Sequence, residues 1–278
     1  MMRRCIVALL FLAIAACASA PRVTVPTLAY AVPAVNPASY TVADTTSVLV
    51  RGGRGQSLNT TIALLARATV GMHVDSTGML ASIRLESVDG TFQAGDSVAF
   101  RVDSSAVPSG AALLRMSRSG ADSTMHLPSV GRALTRFIGG ESFYYQFFPR
   151  LPGGTVAAGT VWTDTLRLSD EGAGVQSRTE TIVSSSLTGD TAIDGRVLRV
   201  IVSRFTTSVD VNGIVDGMQV SQRLVGSGEA TTLWDESASL LFSREETVTS
   251  TGTMDLPGAN LRSVPVEART RRVVRLLP

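Results

Sequence analysis

Residues 196–217 read RVLRVIVSRFTTSVDVNGIVDG. Polar and apolar side chains alternate along this run, β-branched residues are frequent, and Asn212-Gly213 and Asp216-Gly217 supply turn dipeptides at its end. Period-two polarity between turn signals marks an antiparallel strand with one solvated face. The same texture extends outward. Residues 174–187 run to Gly189-Asp190, with Asp194-Gly195 next. Residues 218–226 follow, then 229–235 and 239–250 flank a turn at Glu236-Ser237, and 264–276 form the last strand. In the first half, Ser82-Ile83-Arg84-Leu85-Glu86 alternates and ends at Asp89-Gly90, a strong turn dipeptide. Residues 56–68 and 69–76 precede it as two strands, and 96–103 and 111–118 read as a pair around Pro108-Ser109-Gly110. The pattern predicts a mostly β chain: a single curved antiparallel sheet, a half-barrel or open barrel, with one short amphipathic helix.

That helix is expected at 128–138, PSVGRALTRFI, where Val130, Leu134, Phe137 and Ile138 fall at helical spacing and Gly139-Gly140 stops the run. The densest aromatic cluster follows. Phe143-Tyr144-Tyr145-Gln146-Phe147-Phe148 leads into a proline- and glycine-rich stretch, and then to Gly159 and a strand that carries Trp162. Read as extended chain, the cluster puts Phe143, Tyr145 and Phe147 on one face. With Phe137 and Trp162 they form a candidate apolar cleft, because ligand sites are concave and lined by aromatic and apolar groups. The bland alternative is that these rings fill the core between helix and sheet.

The N-terminus has a basic head, Met1-Met2-Arg3-Arg4, and an apolar run at 5–16, CIVALLFLAIAA, followed by small residues. This is a secretory signal. The run is too short to span a bilayer, which takes roughly 20 residues. Two cuts compete. Ala18-Ser19-Ala20 suits the general signal peptidase, but Pro21 sits just past that bond and lacks an N–H. Ile14-Ala15-Ala16-Cys17 resembles the bacterial lipobox. That resemblance implies a lipidated Cys17 at the mature N-terminus. Two or three acyl chains on one cysteine anchor stably, whereas one anchors only marginally. Ala18 in place of Asp then implies the periplasmic face of the outer membrane.

The division expected is a signal peptide at 1–16, a lipidated cysteine and proline-rich tether at 17–38 (Pro21, Pro26, Pro33, Pro37), and a β-rich body at 39–278. The cysteines are Cys5 and Cys17, so the mature body holds no disulfide and no cysteine-based metal site. Every basic residue is arginine, and the formal charge of +2 falls to about zero once Arg3 and Arg4 leave. Such balance gives no reason to bind nucleic acid, which needs a concentrated basic footprint.

Motifs for catalysis are absent. Gly140-Glu141-Ser142-Phe143 lacks the closing glycine of a nucleophile elbow. His73 has Asp75 on its strand face, and His126 sits in a loop before the helix. No zinc spacing is present, and Asp210-Val211-Asn212-Gly213 lacks a full calcium frame. Glu245 and Glu246 point to opposite faces of a strand. Of the C-terminal arginines, Arg269, Arg271 and Arg275 share one face and Arg272 the other, as on a solvated edge strand. No cofactor or metal is expected.

In architecture, a lipid-tethered run of hairpins with a mid-chain helix resembles LolA/LolB-like half-barrel lipoproteins. The resemblance implies a non-enzymatic envelope lipoprotein that binds a lipid or other hydrophobic ligand in a curved-sheet cleft. The alternatives are an envelope scaffold that meets a protein partner, and a hydrolase with dispersed catalytic residues.

Overall fold

A computed structural model describes residues 25–52, 57–95, 97–138, 140–172, 174–215 and 217–278. The signal segment, Cys17 and Pro21 lie outside the described residues, as do Gly139 and Asp216. Long alternating strands dominate. In chain order they are β1 Thr27–Leu28, β2 Ala38–Arg51, β3 Ser57–Asp75, β4 Gly78–Ala94, β5 Ser97–Val102, β6 Ala112–Ser117 and β7 Gly120–His126. After the connection come β8 Gly154–Thr155, β9 Val161–Gly172, β10 Val175–Ile193, β11 Arg196–Val215, β12 Met218–Asp235, β13 Leu240–Leu256 and β14 Leu261–Leu276. One α-helix, α1, spans Gly140–Tyr145.

Twelve strands form one curled antiparallel sheet in the order β7-β6-β4-β3-β2-β14-β13-β12-β11-β10-β9, with β5 also on β4. β1 and β8 make a separate two-stranded pair. The sheet is two meanders joined at its centre, where β14 pairs with β2 from Val266↔Val50 to Leu276↔Tyr40. Its free edges, β7 and β9, face each other across the connection. Residues 148–151 bridge them. Leu151 N donates to Ser119 O at 2.9 Å beside β7, and Trp162 Nε1 on β9 donates to Arg150 O at 3.0 Å. The Arg150 guanidinium donates to Ala121 O on β7 at 2.6 Å and pairs with Asp164 on β9.

The core fills one end of the half-barrel. Val42, Ile83, Leu114, Leu187, Ile201, Trp234 and Val274 point inward from the sheet. Against them pack Leu28 and Tyr30, and from the connection Phe143, Tyr144, Phe147, Phe148 and Leu151. The rings meet edge to face: Tyr30–Trp234 at 5.0 Å, Tyr40–Phe147 at 5.7 Å and Phe143–Phe147 at 6.1 Å. Such pairs each add about 0.5–1.5 kcal/mol beyond area burial. Tyr30 Oη donates to Pro149 O at 2.9 Å, and burial pushes its phenol well above the ordinary value.

Several local expectations are corrected. Residues 128–138 are not an α-helix; a single 3₁₀ turn covers Leu134–Arg136 and α1 begins at Gly140. Gly140 has φ of +47° and leaves room for Asp170, whose Oδ1 accepts from Glu141 N at 2.5 Å. That carboxylate fixes the helix start. The body begins before residue 39. Leu28 and Tyr30 are buried and Glu236 accepts from Thr27 N at 2.6 Å, so the segment from Thr27 is docked rather than a free tether.

Three turn dipeptides lie inside strands. Asp89-Gly90 is mid-β4, where a Cβ on Gly90 would meet Phe137 at 2.8 Å; the glycine admits a ring, not a turn. Gly189 follows a bulge after Leu187 in β10. Gly213 lies in β11 so close to Gly174 that a Cβ would meet its carbonyl at 2.3 Å. Residues 56–68 and 69–76 are one strand, β3. β5 and β6 pair with opposite ends of β4 rather than with each other. β14 is central, not an edge: Arg271 bonds Glu245 across the outer face, while Arg272 faces in. His126 ends β7 instead of lying in a loop.

Candidate functional site

Beyond the packed end the same strands enclose a cavity of about 440 Å³, within the ~300–1,000 Å³ range of small-ligand pockets. It exists because inward positions there are small or hydroxyl-bearing. One cross-strand layer runs Val48, Ala268, Ser250, Gly226, Thr207, Thr181, Leu166. The layer nearer the core runs Thr46, Thr270, Val248, Gly228, Phe205, Val183, Asp164. Phe205 folds over Gly228, where a Cβ would sit 2.6 Å from its ring. Leu166, Leu168, Val183, Val209, Leu224 and Val248 give the wall its apolar part.

Hydroxyls give the rest. Thr46 and Thr270 meet at 2.9 Å, Thr181 donates to Thr207 at 3.1 Å, and Ser185 and Ser203 meet at 2.8 Å. A hydroxyl has one proton and two lone pairs, so each pair keeps a proton to offer.

A charged band crosses the floor. Arg272 donates Nε and Nη2 to Asp44 Oδ2 at 2.8 and 2.6 Å, and its Nη1 lies 4.0 Å from Glu246 Oε1. Arg244 Nη2 donates to Glu246 Oε2 at 2.6 Å. Two residues apart on β13, Arg244 and Glu246 face inward together, as strand alternation requires. Burial alone would raise the Glu246 carboxyl, but Arg244 and Arg272 outweigh it and hold it below its ordinary value. Glu246 is therefore an ionised acceptor at neutral pH, not a proton donor. Arg150 pairs with Asp164 and lies 3.6 Å from Asp122. The charged groups lining the cavity are thus paired.

The remaining floor is the connection: Ser142, Tyr145, Gln146, Phe148, Pro149 and Arg150. Gln146 is 7% exposed, and its Oε1 and Nε2 have no hydrogen-bond partner among the described residues.

Of the aromatic residues singled out in the sequence, Tyr145 lines the cavity. Phe143 and Phe147 are buried in the core. Phe137 stacks on Phe100 at 6.0 Å beside β4 and β5. Trp162 is half-buried on β9 with its indole on the Arg150 carbonyl. The helix breaks the strand-like alternation expected of the cluster, so these rings do not converge on one cleft. Cys17 lies outside the described residues.

Sequence reasoning missed Gln146, Arg150, Asp44 and Arg244, and noted Arg272 only for facing away from Arg269, Arg271 and Arg275. Glu246 was noted only for facing away from Glu245, and no local motif marks any of them. Asp75 bonds Thr77 rather than His73: its Oδ1 accepts from Thr77 N and Oγ1 at 2.6 and 2.7 Å, and those bonds lower its pKa. Among the described residues no group of three His, Cys, Asp or Glu is placed to hold a metal ion.

No family model and no curated protein matches the chain. Among solved structures, Neisserial surface protein A aligns at TM-score 0.24 and 6% identity, over 86% of this chain and 97% of that one. Salmonella typhi OmpF in complex with daunomycin aligns at TM-score 0.26 and 9% identity, over 85% and 96%. Pseudomonas aeruginosa OccK2 (OpdF) with glucuronate aligns at TM-score 0.22 and 10% identity, over 87% and 98%. These are outer-membrane β-barrel proteins, and likeness at this level carries no argument about how this chain works.

Proposed function

We propose that the chain is an exported, lipid-anchored cell-envelope protein that holds a small amphipathic ligand inside its half-barrel and catalyses no reaction. The observation that carries this reading is the cavity of about 440 Å³ on the concave face, walled by interspersed hydroxyls and aliphatics. The mixed wall favours an amphipathic ligand over the purely hydrophobic one that the aromatic cluster suggests.

Anchoring falls to Cys17 because the outer face of the sheet is built for water. It carries cross-strand ion pairs Arg167–Glu180, Asp210–Arg223, Glu245–Arg271 and Arg51–Glu267. A lipid-facing barrel wall instead shows an apolar band about 25 Å tall, and an arginine at its midplane costs about 2–4 kcal/mol. The lipobox reading supplies the envelope location, with the periplasmic face of the outer membrane as the place that Ala18 favours.

Native mass spectrometry of the full chain, released in detergent from its host membrane, tests the ligand. A bound small molecule that is lost in Thr207→Phe, which fills the cavity, is the expected result. A wild-type mass with nothing bound, or a ligand retained by the filled variant, overturns the cavity reading. Mass analysis of the N-terminal peptide tests lipidation at Cys17.

A further inference from the structure

We propose that the packed end of the half-barrel rests on the bilayer surface that holds Cys17, so that the hollow end points away from that membrane. This rests on the reading of Cys17 as the lipid anchor and is independent of the cavity. From Val25 to Ala43 the chain carries no charged residue. The segment crosses the packed end. Thr27 N donates to Glu236 at the β12–β13 turn, Tyr30 N donates to Arg118 O at 2.9 Å at the β6–β7 turn, and Asn36 Oδ1 accepts from Met72 N at 2.9 Å near the end of β3. Leu28, Tyr30 and Pro33 are buried, whereas Ala31, Val32, Ala34, Val35 and Pro37 are exposed. Val35 is 62% exposed, and Val74, two residues beyond Met72 on β3, is 66% exposed. The β10–β11 hairpin adds exposed Val197 at the same end.

Surface aliphatics that are scattered singly need no explanation, but an uncharged strip gathered at one end marks a contact. The ions beside it are already paired within the protein. Arg199 holds Asp190 and Glu236, and Arg196 lies 3.6 Å from Asp235.

What covers this strip follows from where the chain enters it. Eight residues take the chain from Cys17 to Val25, and fully extended they reach about 26–29 Å. The body is longer than that. β11 has 20 residues, so at ~3.3 Å each and a barrel tilt of about 40° it stands about 50 Å tall. The tether is therefore too short for the body to stand on its hollow end. Laid on its side, the body sets its convex wall of ion pairs against the bilayer, Arg167–Glu180, Asp210–Arg223 and Glu245–Arg271 among them. Contact with a membrane surface strengthens with the apolar area buried in it. Standing on the packed end buries the uncharged strip among the headgroups. The hollow end has exposed Ile214 and Leu261 of its own, and in this pose they face the aqueous compartment.

The experiment places single cysteines in the full, processed protein: Val35→Cys or Val74→Cys at the packed end, Ile214→Cys or Leu261→Cys at the hollow end. Cys5 and Cys17 are the cysteines of the sequence. The first leaves with the signal peptide and the second, once lipidated, has no free thiol, so a thiol-reactive nitrobenzoxadiazole dye marks the introduced site. The protein is reconstituted into vesicles of phosphatidylethanolamine and phosphatidylglycerol that carry nitroxide on a fraction of their headgroups. Quenching is expected to be at least about threefold stronger at 35 and 74 than at 214 and 261, with blue-shifted emission at the first two. All four positions are exposed, preserved near-ultraviolet circular dichroism shows that each variant folds, and two sites at each end keep the result from hanging on one label.

Mass analysis of the N-terminal peptide from the same samples reads Cys17. A lipidated Cys17 with equal quenching at the two ends, stronger quenching at the hollow end, or none at any site overturns the docking and leaves the anchor standing. An unlipidated Cys17 overturns the anchor, and the docking with it.

Discussion

The two ends of the half-barrel use the same strands and differ in what those strands point inward. At the packed end, β11 to β14 contribute Ile201, Trp234, Leu241 and Val274, and the connection closes over them with its aromatic cluster. A few residues farther along, the inward positions are Thr207, Gly226, Ser250 and Ala268, and the space between the strands is a cavity. Backbone pairing continues through both regions without a break in the sheet. Core and container are therefore separated by side-chain volume alone, and the charged band of Asp44, Arg272, Glu246 and Arg244 marks the border between them.

The comparison breaks most visibly at its packed end. Trp234 is fully buried against Tyr30. Trp234→Ala is expected to cost about 3–5 kcal/mol, read as a fall in the urea midpoint. A loss below about 1 kcal/mol would mean that this end is not a tight core.

Arg272→Met attacks the border. It strands the carboxylates of Asp44 and Glu246, whose side chains stay 14% and 15% exposed. The expected cost is about 2 kcal/mol, less than the ~3–5 kcal/mol of a fully buried pair. Equal stability of variant and wild type would show the band to be ornamental.

A third test uses acid. Glu246 is held below its ordinary value of 4.5, so in the folded state it binds its proton less readily than when unfolded. Its contribution is present above that ordinary value and is lost as pH falls through the lower, folded one. Glu246→Gln removes this titration. Its stability is expected to fall less steeply with acid than that of the wild type, and identical slopes in urea melts between pH 5 and 2 would contradict the assignment.

Filling the container should disturb folding least. Thr207→Phe projects into open space and is expected to change stability by less than about 1 kcal/mol, below the ~1–3 kcal/mol usual for overpacking a dense core. A larger loss would show that the hollow end is as tightly filled as the other.

Strand texture was legible because period two is a local signal. The curled antiparallel sheet follows from it, and the short helix was expected from helical spacing but at 128–138 instead of Gly140–Tyr145. Strand ends were less legible. β11 is 20 residues long, against roughly 5–6 for an average strand, so turn dipeptides that would end an ordinary strand are carried inside these. Gly90 and Gly213 serve neighbours distant in sequence, Phe137 and Gly174, and no local rule reveals that.

The cavity was illegible for the same reason. A layer such as Ala268, Ser250, Gly226, Thr207 is assembled from four strands, and each residue is ordinary in its own stretch. The aromatic cluster was misread for a related reason: six residues that look like a strand include the end of a helix, which buries Phe143 and Phe147 in the core instead of lining a cleft.

The junction of β2 with β14 has a consequence for assembly. It joins Thr46 to Thr270 and Asp44 to Arg272, partners more than 200 residues apart. Contacts so distant are formed slowly, because their loop-closure entropy must be met before they repay it. Each meander can zip through neighbouring hairpins, but the container has no second wall until the last strand arrives beside β2. Arg272 reaches Asp44 in that step, so the ionic band forms together with the cavity it borders. Whatever enters the hollow can be gripped from both sides only once β14 has closed against β2.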